Sequence, residues 1–194
     1  IARVELATKN APYAITRGFK ESGSDIRVFR YSEDDEHRFE LHDDGEVYLA
    51  DINADTWVNN WDELQSAINN AQGDQVIGLK NDALGNGSDG DPISVKGKTV
   101  TLDLNGYAID RRVKQCIEQG SVIEVSGGSK LTIRDSVGTG VITGGNAVMG
   151  GGILIDDGAT CTIEGGSIRD NWAQHHGGGI CVKGGLKMTG GSIV

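Results

Sequence analysis

The chain has 194 residues, a formal net charge of −10, 30 glycines and 5% aromatic side chains. That acidic balance speaks against a nucleic-acid partner, whose phosphates demand basic stripes. No apolar run reaches the roughly 18–20 residues that span a bilayer. The length suits one domain, or a small module followed by a solenoid, and the glycines crowd into repeats rather than into a linker.

Residues 1–56 share none of the repeat character. Residues 25–31, 37–42 and 46–51 read as short strands, with turns at residues 32–36 and at Asp43-Asp44-Gly45; the second is a hairpin signal. The expected product is a small antiparallel module, thin for independent stability, that serves as an anchor or oligomerisation element. The acidic run Glu33-Asp34-Asp35-Glu36 reads as a solvated turn in preference to a cation or partner site.

Residues 57–74 carry the one clear helical pattern. Trp61, Leu64, Ile68 and Ala71 recur at a spacing of three or four and draw an apolar stripe. Asn60 with Glu63 resembles a capping box, and Gly73 supplies a stop. A single amphipathic helix ahead of a solenoid is placed to close it. Trp61, Leu64 and Ile68 cap the open end of the stack, each side chain contributing about 1.5–3 kcal/mol. Core duty is the expected role of Trp57 and Trp61, and a sugar-stacking platform the alternative.

From residue 75 onward the sequence is repetitive. Val76-Ile77-Gly78-Leu79 reads as a first strand, and the glycine-rich insertion at 82–91, with Asn86, Asp89 and Asp91, as a polar loop that lacks the spacing of a calcium loop. A looser copy runs through Val95, Thr101-Leu102-Asp103-Leu104-Asn105-Gly106 and Ile109. Three closer copies follow at a period of about 25–30 residues, in the solenoid range. Alternation assigns Ile123, Val125, Leu131 and Ile133 to the inside, with Ile153, Ile155, Cys161 and Ile163 stacked on them and Ile180, Val182, Leu186 and Met188 next. Gly127-Gly128, Gly165-Gly166 and Gly190-Gly191 mark corners. The three cysteines fit no metal spacing, and Cys161 and Cys181 fall on opposite faces, which makes them poor disulfide partners. The chain opens at Ile1 and stops at Val194 in mid-repeat, and so reads as the N-terminal portion of a longer polypeptide.

The helix-then-strand opening, the Val100-Thr101-Leu102-Asp103-Leu104-Asn105-Gly106 segment and the Gly-Gly-Gly-Ile repeats resemble right-handed parallel β-helix proteins of the pectate-lyase-like superfamily. More narrowly, Gly151-Gly152-Ile153, Gly178-Gly179-Ile180 and Ile168-Arg169-Asp170-Asn171 are similar to the Gly-Gly-apolar and Phe-x-x-Asn motifs of bacterial surface proteins and polymorphic outer-membrane repeats, with Ile in place of Phe. The resemblance covers residues 57–194 and extends in architecture to phage tailspikes and fibres. It implies an all-β fold: a right-handed parallel β-helix with an N-terminal capping helix, preceded by the small antiparallel module.

The resemblance also implies where catalysis would sit. Lyases of this fold carry an Asp/Glu calcium cluster beside an Arg or Lys base, and hydrolases pair carboxylates across the same groove. Here the outward series read Glu124, Leu154, Cys181 and Asp103, Thr132, Thr162, Lys187, neither stacking two carboxylates, while Asp135, Asp156, Asp157 and Asp170 fall at corners or loops. Asp103 is expected to hold a turn or bridge coils. No catalytic residue, metal or cofactor is therefore assigned. Trp172, Gln174, His175 and His176 form a polar, aromatic loop between the third and fourth coils. It reads first as an ordinary solvated loop, second as a glycan contact and last as a metal or catalytic site, since no third ligand stands at a metal spacing from the adjacent histidines.

The function expected is a non-catalytic attachment protein, a virion fibre or spike or a bacterial surface adhesin. Its residues 1–56 dock to a larger assembly, and its β-helix projects outward toward a surface polysaccharide, with a homotrimer favoured by this shape. The alternative is a polysaccharide lyase or glycoside hydrolase whose active site lies in coils beyond Val194.

Overall fold

The computed structural model describes residues 54–194, the side chain of Asp89 excepted, and, within residues 1–53, the backbone of four strands. The chain divides into two compact units, Ile1–Asn53 and Ala54–Val194. In the first, Val4–Thr8 pairs antiparallel with Ala11–Ile15, and His37–Leu41 with Val47–Asp51. The strand at Ala11–Ile15 was hidden in the sequence by Pro12, which removes a ladder donor and argues against a strand. The strand expected at 25–31, the acidic run at 33–36 and the turn at 43–45 lie outside the described residues.

The second unit is a parallel β-solenoid. One sheet of six strands stacks Thr56–Val58, Asp74–Leu79, Thr99–Asp103, Lys130–Arg134, Thr160–Ile163 and Gly185–Met188. A second, of five, stacks Ala83–Leu84, Ala108–Asp110, Val141–Thr143, Ser167–Ile168 and Ser192–Ile193. The third, of four, stacks Ile93–Lys96, Ile123–Ser126, Ile153–Ile155 and Ile180–Val182. The chain visits the sheets in that cyclic order, so each coil lays its strands on those of the coil before. A fourth, two-stranded sheet pairs Asn146–Met149 with Trp172–His176 between the second and third faces of the last two coils.

Register turns sequence alternation into columns. Ile93, Ile123, Ile153 and Ile180 stack in one, Val95, Val125, Ile155 and Val182 in the next. On the broad sheet Val100, Leu131, Cys161 and Leu186 form a third, and Leu102, Ile133, Ile163 and Met188 a fourth. Through Ile163 these side chains are at most 2% exposed. On the last coil described, Val182, Leu186 and Met188 continue the columns and are 43, 36 and 42% exposed. Burial pushes the Cys161 thiol up to about 12, so that cysteine serves as an inert core residue.

Two properties explain the glycine pairs. Gly166 and Gly191 take φ of +82° and +76° at the corners, a region that costs other residues energy. Gly151 and Gly152 meet a different demand: a Cβ on either would collide with a carbonyl oxygen, of Trp172 or Gly179, on the following coil. The Gly-Gly-Ile repeat is thus a backbone-to-backbone contact between coils.

The helix spans Trp61–Asn70, shorter than the sequence pattern suggested, because Thr56–Val58 has become a strand paired with Ile77–Leu79. Asp55 anchors that strand, its N–H donating to Val76 O and its carboxylate accepting from Val76 N, both at 2.8 Å. Trp57 is therefore no core residue. Its ring lies over Gly78, where a Cβ would come within 2.5 Å of it, and Lys80 Nζ sits 5.5 Å from the ring centroid. At the helix start Glu63 N donates to Asn60 Oδ1 at 2.9 Å, while the Glu63 carboxylate accepts from Asn59 N at 2.8 Å. Leu64 and Ile68 are fully buried, and Trp61 packs against the core as a partly buried side chain.

The helix does more than cover apolar groups. Gln65 Nε2 donates to Ser94 O at 3.0 Å and Gln65 Oε1 accepts from Ser94 N at 2.7 Å. Ser94 lies on the edge strand of the third sheet, so one side-chain amide supplies the two ladder bonds that a preceding strand would have made. Gln65→Ala should lower stability by about 1–3 kcal/mol, read as a shifted urea midpoint with an unchanged slope. An unchanged midpoint would mean that water replaces the amide without loss.

Candidate functional site

Three acidic side chains near the solenoid corners, Asp82, Asp103 and Asp135, hold backbone. Asp82 Oδ1 accepts from Ala108 N at 2.8 Å, one coil on. Asp135 accepts from Gly106 N at 2.8 Å and Gly140 N at 2.6 Å. Asp103 is fully buried and accepts from Asn105 N at 2.9 Å, Ser136 N at 3.0 Å, Ser136 Oγ at 2.7 Å and Arg134 Nε at 3.2 Å. Register also corrects one outward series read from sequence: Thr101 lies beside Thr132, and Asp103 beside Arg134. Asp103 thus stands two positions further along its strand than that series placed it. Asp156 pairs with Lys183 at 3.2 Å. Among the described residues, no group of three or more His, Cys, Asp or Glu is gathered that could hold a metal ion.

The segment read as a loop around Trp172 is a strand. Trp172–His176 pairs in parallel with Asn146–Met149, with a register shift between Ala147 and Met149. Asn171 places it: its Nδ2 donates to Ile142 O at 3.0 Å, and its Oδ1 accepts from Gly145 N at 2.9 Å on the preceding coil. That bridge is the physical content of the Ile168-Arg169-Asp170-Asn171 motif, with Ile168 buried beneath it. Ala173 stacks on the fully buried Ala147, which sends Trp172 to the outside. Trp172 is 50% exposed, and Gln174, His175 and His176 are exposed beside it. The two imidazoles stand 6.3 Å apart, tilted by 49°. The strand could not be read from sequence, since Trp-Ala-Gln-His-His shows no apolar alternation.

Sequence reasoning also missed a neighbour. Ile117 bridges in parallel to Ala147, and the exposed Cys116 brings its Sγ within 3.9 Å of Gln174 Oε1. The loop at 111–121 thus adds a third edge to the small sheet. Nothing in the spacing of residues 111–121 announces this, because the pairing is a single bridge. Together the three segments present the Trp172 ring outward beside amide and imidazole groups. Such a surface can stack on the apolar face of a sugar and hydrogen-bond its hydroxyls.

Beside this face lies an electrostatic cluster. Arg111 is 1% exposed and donates from Nη2 to Gly90 O at 2.6 Å and from Nη1 to Ser121 O. Burial lowers its pKa, opposed by the charges of Glu124 and Asp91. Burial raises the pKa of Glu124, with Asp156 and Asp91 adding to the rise and Arg111 and Lys183 opposing it. A carboxyl that holds its proton more tightly when folded stabilises the fold at low pH. That contribution is lost as pH climbs from the ordinary glutamate value through the raised one. Glu124→Gln should therefore be more stable than the parent at neutral pH, and the difference should close as pH falls below the ordinary carboxylate range. Denaturant midpoints across that range check it, and a variant less stable at neutral pH would show that attraction to Arg111 and Lys183 prevails.

Comparison with family models, with curated proteins and with solved structures yielded no match to this chain.

Proposed function

We propose that this chain is a non-catalytic attachment protein, a virion fibre or spike or a bacterial surface adhesin, whose solenoid offers the Trp172 face to a surface polysaccharide. The observation that carries the reading is the half-exposed Trp172, held outward on a paired strand beside Gln174, His175 and His176. A large aromatic turned outward in that way beside amide and imidazole groups favours recognition over packing. The engagement of Asp82, Asp103 and Asp135 by backbone N–H groups supports a scaffold role for these carboxylates.

In this reading the solenoid winds right-handed, the hand taken by nearly all parallel crossovers, and is a pectate-lyase-like β-helix. The unit Ile1–Asn53 forms one antiparallel module that docks to the larger assembly, its boundary falling at 53 and not 56 because Thr56–Val58 is a strand of the solenoid. The test is binding of the chain to an array of bacterial and plant polysaccharides, with Trp172→Ala as comparison. The expected result is retention on at least one glycan and a roughly tenfold or greater loss in the variant, worth about 1.4 kcal/mol or more, with an unchanged circular dichroism spectrum. No retention on any glycan, or equal retention by both proteins, would overturn the proposal.

A further inference from the structure

A cleft of about 460 Å³ opens between two loops, residues 85–92 and 111–121, inserted at the same corner of successive coils. Its size lies in the range of small-ligand sites. Both walls are pinned. Gly85 N donates to Asp110 O at 2.8 Å and Gly87 N to Arg111 O at 3.1 Å; Val113 N donates to Gly144 O at 2.8 Å and Ile117 N to Asn146 O at 3.1 Å. Arg111 contributes to the lining from a fully buried position and ties the walls together through Gly90 O and Ser121 O. Ser88, Asp91, Glu118 and Gln119 line the cleft as exposed side chains.

The charge pattern restricts what fits. Two exposed carboxylates, Asp91 and Glu118, line the cleft with one buried guanidinium, and carbonyls already hold two of the five N–H donors an arginine possesses. A uronate would bring its own negative charge against Asp91 and Glu118. A hydroxyl-rich, uncharged sugar instead finds acceptors in Asp91, Glu118 and Ser88, and a donor in Gln119. The cleft also adjoins the Trp172 face, since Glu118 and Gln119 follow directly on Ile117, which bridges to Ala147, and Cys116 reaches Gln174.

We infer that the cleft between residues 85–92 and 111–121 is a second subsite of the Trp172 face, taking an uncharged sugar residue and rejecting uronates. This rests on the glycan-binding reading of Trp172 and adds the substrate class to it. The test is calorimetric titration of the whole chain with cellotetraose, maltotetraose and chitotetraose as neutral probes and tetragalacturonate as the acidic one. The parent, Trp172→Ala and the double variant Asp91→Asn/Glu118→Gln are compared, each with a circular dichroism control.

At least one neutral tetrasaccharide should bind, with tetragalacturonate roughly tenfold weaker or worse. The double variant should lose about tenfold in affinity for the neutral probe and narrow its preference over the acidic one. Equal affinity of the parent for both classes would overturn the inference. A double variant that binds like the parent, alongside a weakened Trp172→Ala, would remove the subsite and leave the Trp172 face standing. The reverse pattern would keep the cleft as a site and remove the Trp172 face. No binding by any probe at millimolar concentration would overturn both.

Discussion

Ile155→Asp should abolish the cooperative thermal transition of the solenoid or depress its midpoint by roughly 10 °C or more. Ile155 is fully buried and stacked between Val125 below and Val182 above. An aspartate there would place an unpaired carboxylate inside a dry column, among the few changes that cost more than about 4 kcal/mol. Whole domains hold roughly 5–15 kcal/mol, and 1 kcal/mol moves the midpoint of a domain this size by about 2–4 °C. Leu154→Asp is the internal control. Leu154 sits one residue away on the outer side, half-buried and paired with Glu124 and Cys181, so it should cost far less. Equal effects of the two changes, or an Ile155→Asp midpoint within about 2 °C of the parent, would contradict the column assignment.

The second large effect falls on a polar residue. Asp103→Ala would leave the Arg134 guanidinium, the Ser136 N–H and hydroxyl, and the Asn105 N–H without their shared acceptor. Breaking a buried charge pair from one side costs about 3–5 kcal/mol, chiefly because the remaining partners stay desolvated. Arg134 is 34% exposed, so water recovers part of that cost and places the expected loss near the lower figure. Asp103→Asn should fall between, keeping an acceptor for the N–H donors while losing the charge opposite Arg134. Removing Arg134 as well, in Asp103→Ala/Arg134→Met, should restore some stability. Urea denaturation of the four proteins checks the order, and a loss below about 1 kcal/mol for Asp103→Ala would show that solvent already satisfies these groups.

These two positions also show how much of the fold is legible in sequence. Alternation in Ile123-Glu124-Val125, in Ile153-Leu154-Ile155 and in Ile180-Cys181-Val182 carries both face and register, because a parallel solenoid repeats one inter-coil contact and each copy restates it. The helix was legible for a similar reason, its stripe being set by Leu64 and Ile68. What escaped were contacts that do not repeat. Gln65 replaces a strand only because the first coil has an open edge at Ser94. Cys116 and Ile117 reach the small sheet through a single bridge, and Trp172 belongs to a strand fixed by Asn171 rather than by apolar periodicity. The candidate site was therefore legible as residue types around Trp172, while its third edge and the cleft beside it depend on long-range closure of two loops.

The central claim is that the Trp172 face holds a glycan without cleaving it. Saturation-transfer difference NMR on a neutral tetrasaccharide, followed over many hours with and without calcium, tests both halves in one sample. Saturation transfer to the sugar ring protons is expected, with its loss in Trp172→Ala and anomeric signals unchanged from first spectrum to last. Growth of new reducing-end or unsaturated-sugar signals, abolished by replacing an Asp or Glu within residues 75–194, would contradict the claim, as would saturation transfer that survives in Trp172→Ala.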